Sequence, residues 1–246
     1  MKVTKGLTTY PDGLRRYCDD PEKSQSWDAF RGDGDGRAAH GELSEALMAA
    51  QRGLCCYCEI DLIVPLDRQI EHVLSRDRFP HRALDPFNML ASCVGGSSQT
   101  HATDENRFTR PSKRNLSCGQ KKGKAEALDP RKLPSDFSLF VVTTDGRMLA
   151  DPAACAGSVI PVTDVTDALN VLGLNAPRLV KAREKIIKNL SQTIGESPTQ
   201  LEIIARGELL PDASGNLRPW FTTRRSHFGA IAEKILAELP RDWIGS

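Results

Sequence analysis

The chain has 246 residues, 39% of them hydrophobic and 26% charged, with a formal net charge of +1. That length supports a well-buried core, in one domain or two closely packed ones, and the balance is globular rather than disordered. No stretch approaches the ~18 apolar residues that a membrane span needs. The opening Met1-Lys2-Val3-Thr4-Lys5 has no apolar signal core, so a cytoplasmic protein without membrane contact is expected.

The first 38 residues read as an irregular arm, with Pro11-Asp12-Gly13 as a turn and Gly32-Asp33-Gly34-Asp35-Gly36 as a flexible joint. The Asp and Gly repeat lacks the spaced ligands and closing glutamate of a calcium loop. From Gly41 to Arg52 the spacing of Leu43, Ala46, Leu47 and Ala50 predicts a helix, stopped by Gly53. That helix delivers the chain to Cys55. A β-like segment follows from Arg68 to Leu74, a polar loop from Ser75 to Pro86, and a second apolar run from Phe87 to Cys93. Residues 94–117 are polar with little periodicity, the mark of a functional or mobile loop. Further on, Asp145-Gly146 between two apolar runs predicts a β-hairpin. Helices are expected near 163–172, from Pro177 with Leu179, Val180, Ile186, Ile187 and Leu190 as its stripe, after Ser197-Pro198, and near 228–239.

The chemistry concentrates between Cys55 and Gly123. Cys55 and Cys58 have the spacing with which one tight turn grips a tetrahedral ion, and Cys93 and Cys118 complete a four-thiolate set. Such a set without an open position suits structural zinc, with Cys56 turned away. The total of seven cysteines is odd, and without a secretion signal a disulfide framework is not expected. The alternative for Cys55 and Cys58 is a redox pair, for which the βαβ context is missing. From Arg107 to Lys124 there are seven Lys or Arg and no Asp or Glu. Arg107, Arg110, Lys113, Arg114, Lys121, Lys122 and Lys124 are therefore candidate contacts to a phosphate backbone. His81 and His101 lie in the polar loops, and His40 and His227 carry no motif.

The order Cys55-x-x-Cys58, Glu71-His72-Val73, Asn88-x-Leu90, Cys93 and Cys118 to Gly123 resembles the HNH nucleases. The resemblance implies an α+β fold with a zinc-stapled ββα-metal core over residues 39–130. A mainly helical C-terminal layer with one hairpin, residues 131–246, would serve partner binding. It implies that His72 is the general base that takes a proton from the attacking water. Glu71 is then a ligand of a catalytic Mg²⁺ or Mn²⁺ ion, and Asn88 orients the loop and the base. Where the family places Asn or His after the last cysteine, Gly119 stands here, and Gln120 is the candidate replacement ligand.

Gly53-Leu54-Cys55-Cys56-Tyr57-Cys58-Glu59, Ile70-Glu71-His72 and Leu172-Gly173-Leu174-Asn175, followed by Leu179 and Arg183, are similar to the HNH proteins of Septu-type and retron-associated anti-phage systems. That likeness implies DNA as substrate and an ABC/SMC-type ATPase as partner, with self-association of the C-terminal helices as a further expectation. The chain itself has no Gly-x-x-x-x-Gly-Lys-Ser/Thr loop, so nucleotide hydrolysis would belong to the partner. The rival reading is a zinc-stapled DNA- or partner-binding module whose catalytic site has decayed.

Overall fold

A computed structural model describes residues 1–97 and 112–240. The architecture is α+β. Two two-stranded antiparallel sheets are embedded among helices that precede and follow them.

The N-terminal stretch corrects the expected irregular arm. It forms α1 (Asp12–Asp19), α2 (Trp27–Gly32) and the start of α3 (Gly34–Ala50). Both later helices are capped by side chains, Ser26 accepting from Ala29 N and Asp33 from Gly36 N. The Asp-Gly run is therefore a helix start and not a joint. Gly36 is required there because a Cβ would meet the carbonyl oxygen of Phe30 at 1.9 Å. On α3 the buried residues are Gly36, Ala39, Leu43 and Leu47, one face at helical spacing. The helix ends as expected, with Gly53 at φ 77° donating to Met48 O at 3.0 Å.

Strand β1 (Arg68–His72) pairs with β2 (Met89–Cys93), Glu71 opposite Leu90 and His72 opposite Met89. All of β2 is buried, whereas only the last two residues of β1 are, so β1 supplies the accessible edge. A turn over Cys55–Glu59 sits against β2 through Cys56 N to Ala91 O at 3.1 Å. Gln51, buried at the end of α3, locks the same junction. Its amide donates to Leu54 O and Ala91 O and accepts from Ala91 N, at 2.9, 2.8 and 2.7 Å. Beyond β2 comes the short helix α4 (Cys118–Lys122).

The C-terminal half begins with the expected hairpin, β3 (Phe140–Val142) and β4 (Met148–Ala150), turning at Gly146. Then follow α5 (Pro152–Ala156), α6 (Val162–Val171), α7 (Pro177–Glu196) and α8 (Leu201–Leu209). The expected last helix is α10 (Ala230–Ala237), and a further helix that was not expected, α9 (Phe221–Phe228), precedes it, the two separated by Gly229 with φ 51°. On α7 the stripe differs too: Leu179, Ile187 and Leu190 are buried, but so are Arg178 and Arg183, while Val180 and Ile186 are half-buried. One large core joins the N-terminal helices, the β1–β2 pair, the hairpin, α6 and α7. A smaller one gathers α8, α9 and α10 around Leu54 and Leu190. No described helix is long and apolar enough to cross a membrane.

Gln51→Ala is expected to cost about 3 kcal/mol in urea unfolding, because Ala91 N and Leu54 O lose a buried partner together. A loss under about 1 kcal/mol would show that the junction does not depend on it.

Candidate functional site

The structure brings Cys55, Cys58, Cys93 and Cys118 together, their Sγ atoms all within 4.8 Å of one another and all four residues buried. The Sγ–Sγ separations are 3.8 Å for Cys55–Cys118, 3.6 Å for Cys58–Cys93 and 3.7 Å for Cys93–Cys118. Four sulfurs around an ion at ~2.3 Å would lie ~3.8 Å apart, so the set fits a tetrahedral metal as it stands. Backbone amides point at the sulfurs, Cys93 N at Cys55 Sγ (3.3 Å) and Gly95 N at Cys93 Sγ (3.4 Å). Ser117 Oγ donates to Cys118 Sγ at 3.4 Å. Such donors favour thiolates over thiols. Cys56 is buried outside the set, as expected. Among the described residues no other group of three or more His, Cys, Asp or Glu converges in this way.

A cleft of about 330 Å³ opens at the free edge of β1, lined by Gln69, Glu71, His72, Gly119, Gln120 and Lys124 among others. It thus unites Glu71, His72 and Gln120. His72 is 8% exposed, and its Nε2 lies 2.9 Å from Ala83 O. A carbonyl can only accept, so this contact makes Nε2 the protonated nitrogen and leaves the lone pair on Nδ1. Burial pulls the His72 pKa down to about 4, against the opposing bond to Ala83 O, so the ring is neutral near pH 7. Trp27 of α2 stands edge-on to it, with centroids 4.6 Å apart and planes at 90°. Sequence reasoning did not single out Trp27. Its only signal was an aromatic behind an N-cap serine in a stretch read as irregular.

Asn88, fully buried, does not line the cleft. Its side chain accepts from Leu74 N at 2.8 Å and donates to Leu74 O and Arg82 O at 3.1 and 3.3 Å. It staples the loop between the strands, and with it the Ala83 carbonyl that holds His72.

Glu71 is held from two sides. Lys122 Nζ donates to its Oε1 at 2.7 Å and to His72 O at 2.9 Å, and Tyr57 donates to the same Oε1 at 3.3 Å. Burial raises the Glu71 pKa, and the Lys122 ammonium opposes it. The other oxygen, Oε2, rests on the Gly119 backbone, where a Cβ would lie 2.1 Å from it. Glycine at this place is therefore what the carboxylate requires. Gln120 is exposed and donates to Gln69 Oε1 at 2.9 Å. Cleft donors of this kind, a carboxylate and amide oxygens, are hard ligands suited to Mg²⁺ or Mn²⁺ with water and substrate completing the shell.

Lys122 corrects the expected basic block, since at 4% exposure it is a buried partner of Glu71 rather than a surface cation. Lys113, Arg114, Lys121 and Lys124 are exposed, and Lys124 pairs with Asp77. Arg107, Arg110 and His101 lie outside the described residues. His81 is exposed, and His40 is packed beside Trp27 and Phe30. A larger cavity, about 590 Å³, lies between Gly53, Ile63, Leu210 and Pro219, and none of its walls carries a residue of the cleft.

No protein-family profile matches the chain. An Escherichia coli protein described as "Retron Ec83 putative HNH endonuclease" is 30% identical over 193 residues, which span 66% of this chain and 70% of that protein. The chain belongs to the HNH endonuclease family. Within that family the Gly119 position is explained by packing, because Glu71 fills the space a longer residue would take.

Gly119→Ala is expected to destabilise the fold by about 1–3 kcal/mol, because Glu71 must leave its place beside Lys122. In a Glu71→Ala background the same change should cost almost nothing, a non-additivity that urea unfolding would read. Equal costs in the two backgrounds would contradict the contact.

Proposed function

We propose that this chain is a metal-dependent HNH endonuclease that hydrolyses DNA phosphodiester bonds. In this reading β1, β2 and α4 form the ββα-metal arrangement, and the four cysteines hold structural Zn²⁺. His72 is the general base. Its Nδ1 takes the proton from the attacking water while Nε2–H stays on the Ala83 carbonyl. Glu71 Oε2 and the Gln120 amide oxygen would hold Mg²⁺ or Mn²⁺, which supplies charge relief on the phosphate and the leaving oxygen. Asn88 positions the base through the loop. Lys113, Arg114, Lys121 and Lys124, with Arg107 and Arg110 from the same basic block, would track the backbone.

The observation that carries this reading is the neutral, tautomer-fixed His72 beside Glu71 in an open cleft. The relative's description attaches that protein to a retron, which supports a role in anti-phage defence. A cytoplasmic complex with an ABC/SMC-type ATPase, and self-association through the C-terminal helices, rest on the sequence resemblance alone.

The second reading, a binding module without catalysis, draws on one observation: Glu71 Oε1 is already committed to Lys122. It predicts DNA binding without cleavage.

With plasmid DNA and Mg²⁺ or Mn²⁺, the purified chain, alone or with its ATPase partner, is expected to cut, and EDTA to stop it. His72→Ala should lose about 10²–10⁴-fold in rate while keeping its zinc. Intact DNA under every condition favours the binding module. Undiminished cutting by His72→Ala would refute the assigned base.

A further inference from the structure

Arg76 follows His72 by four residues, in the turn that leaves β1. Ser75 O closes that turn, accepting from Arg78 N at 3.1 Å and from Phe79 N at 2.9 Å. Three charged side chains stand there in a row, Arg76, Asp77 and Arg78. Asp77 pairs with Lys124 and Arg78 with Glu126, which clasps the turn to the chain just beyond α4. Arg76 goes the other way. Its guanidinium carbon lies over the ring of Trp27, 5.5 Å from the centroid. This is the same ring that stands edge-on to His72, with centroids 4.6 Å apart. One buried indole therefore packs against both the histidine and a cation. Stacking on an aromatic face holds a guanidinium with its fork of donors already oriented.

Among the described residues three cations line the cleft, Arg76, Lys122 and Lys124. Lys122 is buried against Glu71 at 2.7 Å, and Lys124 is paired with Asp77. Arg76 faces Asp28 at 3.7 Å, beyond hydrogen-bonding distance, and both side chains are exposed. An exposed pair of this kind is worth little in water. An anion that enters the cleft can therefore take the guanidinium from Asp28. The planar fork matches two oxygens of a phosphate, which a lysine does not do. The backbone contacts assigned above all come from residues 107–124, around α4. Arg76 adds a cation on the side of the cleft that carries His72.

We propose that Arg76, presented by Trp27, is a phosphate-binding residue that grips the DNA backbone on the His72 side of the cleft. This rests on the reading above that the cleft takes DNA. Asp28 is then an anion that DNA displaces rather than a structural partner of the arginine.

The test measures binding of a fluorescent DNA duplex to the full-length chain without added divalent ion, over a range of salt concentrations. Arg76→Ala should weaken binding about tenfold, the scale of one hydrogen-bonded charge. It should also reduce the steepness of log K against log salt by about 0.9, one phosphate contact fewer. Arg76→Lys keeps the charge and should keep the slope. Asp28→Asn should tighten binding about twofold, the scale of one exposed ion pair. An arginine that only braces α2 would lower Tm in Arg76→Ala and leave the salt slope unchanged, and that result overturns the inference. Should Arg76→Ala fail to fold, Asp28→Asn decides, and binding no tighter than wild type overturns it. A wild-type chain that binds no DNA overturns the cleft reading and this inference together. DNA bound with the expected dependence on Arg76, yet left uncut in Mg²⁺ and Mn²⁺, overturns the nuclease reading and supports this one.

Discussion

Four sulfurs from three separate segments meet at one point, and the geometry of the cleft follows from that meeting. Cys55 and Cys58 come from the turn after α3, Cys93 ends β2, and Cys118 opens α4. Neither a two-stranded sheet nor a one-turn helix is stable alone in water. Pinned at their ends, β1 and β2 have a fixed register, and α4 is set beside β1 so that Gly119 lies under Glu71. A shift of either element would separate the carboxylate from Lys122 and open the edge on which His72 sits. In the proposed reading a metal held by the four cysteines would act on the chemistry at one remove, by fixing distances rather than by touching substrate.

Several charged side chains lie buried in this molecule, and those near the cysteines and the cleft tie separate elements together. Glu59 ties the cysteine turn to the start of α9 through Thr222. Lys122 orients Glu71 and, through His72 O, the end of β1. Arg178 ties α7 to the segment before α4 through Asn115 O and Ser117 Oγ, and Arg183 ties it to the hairpin turn through Gly146 O. Buried ions of this sort seldom raise stability over apolar packing. Their value here is placement, since Glu59, Lys122 and Arg178 each link a C-terminal element or α4 to the half of the chain that carries the cleft. The two halves of the chain are consequently interlocked around the cysteines.

Much of the site was legible because its residues are chemically distinctive and close in sequence. Cysteines at metal-ligand spacing, an acid before a histidine in a strand, and a single asparagine before an apolar run need no tertiary information to be noticed. The helix at Leu43 and Leu47 and the hairpin at Asp145-Gly146 were legible for the same local reasons. Other features depend on contacts that no local pattern encodes. Gly119 looked like a missing ligand, and only its distance to Glu71 shows that it makes room for that carboxylate. Lys122 sits in a basic run but is drawn inward by a carboxylate 51 positions away. Trp27 reaches His72 from a stretch whose Asp and Gly content suggested a loop, because capping by Ser26 and Asp33 makes helices there. Arg178 breaks the apolar stripe of α7 for Asn115 and Ser117, which lie in the other half of the chain.

The central claim is that two metal sites coexist in one compact unit, a closed one in sulfur and an open one at Glu71 beside the base. It is tested most directly by anomalous scattering from crystals grown with Mn²⁺ and a cleavage-resistant DNA duplex, recorded at the zinc and manganese edges. The account predicts a zinc peak enclosed by Cys55, Cys58, Cys93 and Cys118 and a separate manganese peak against Glu71, facing the DNA phosphate and His72. Manganese absent from the cleft with DNA bound, or DNA seated away from His72, would contradict it.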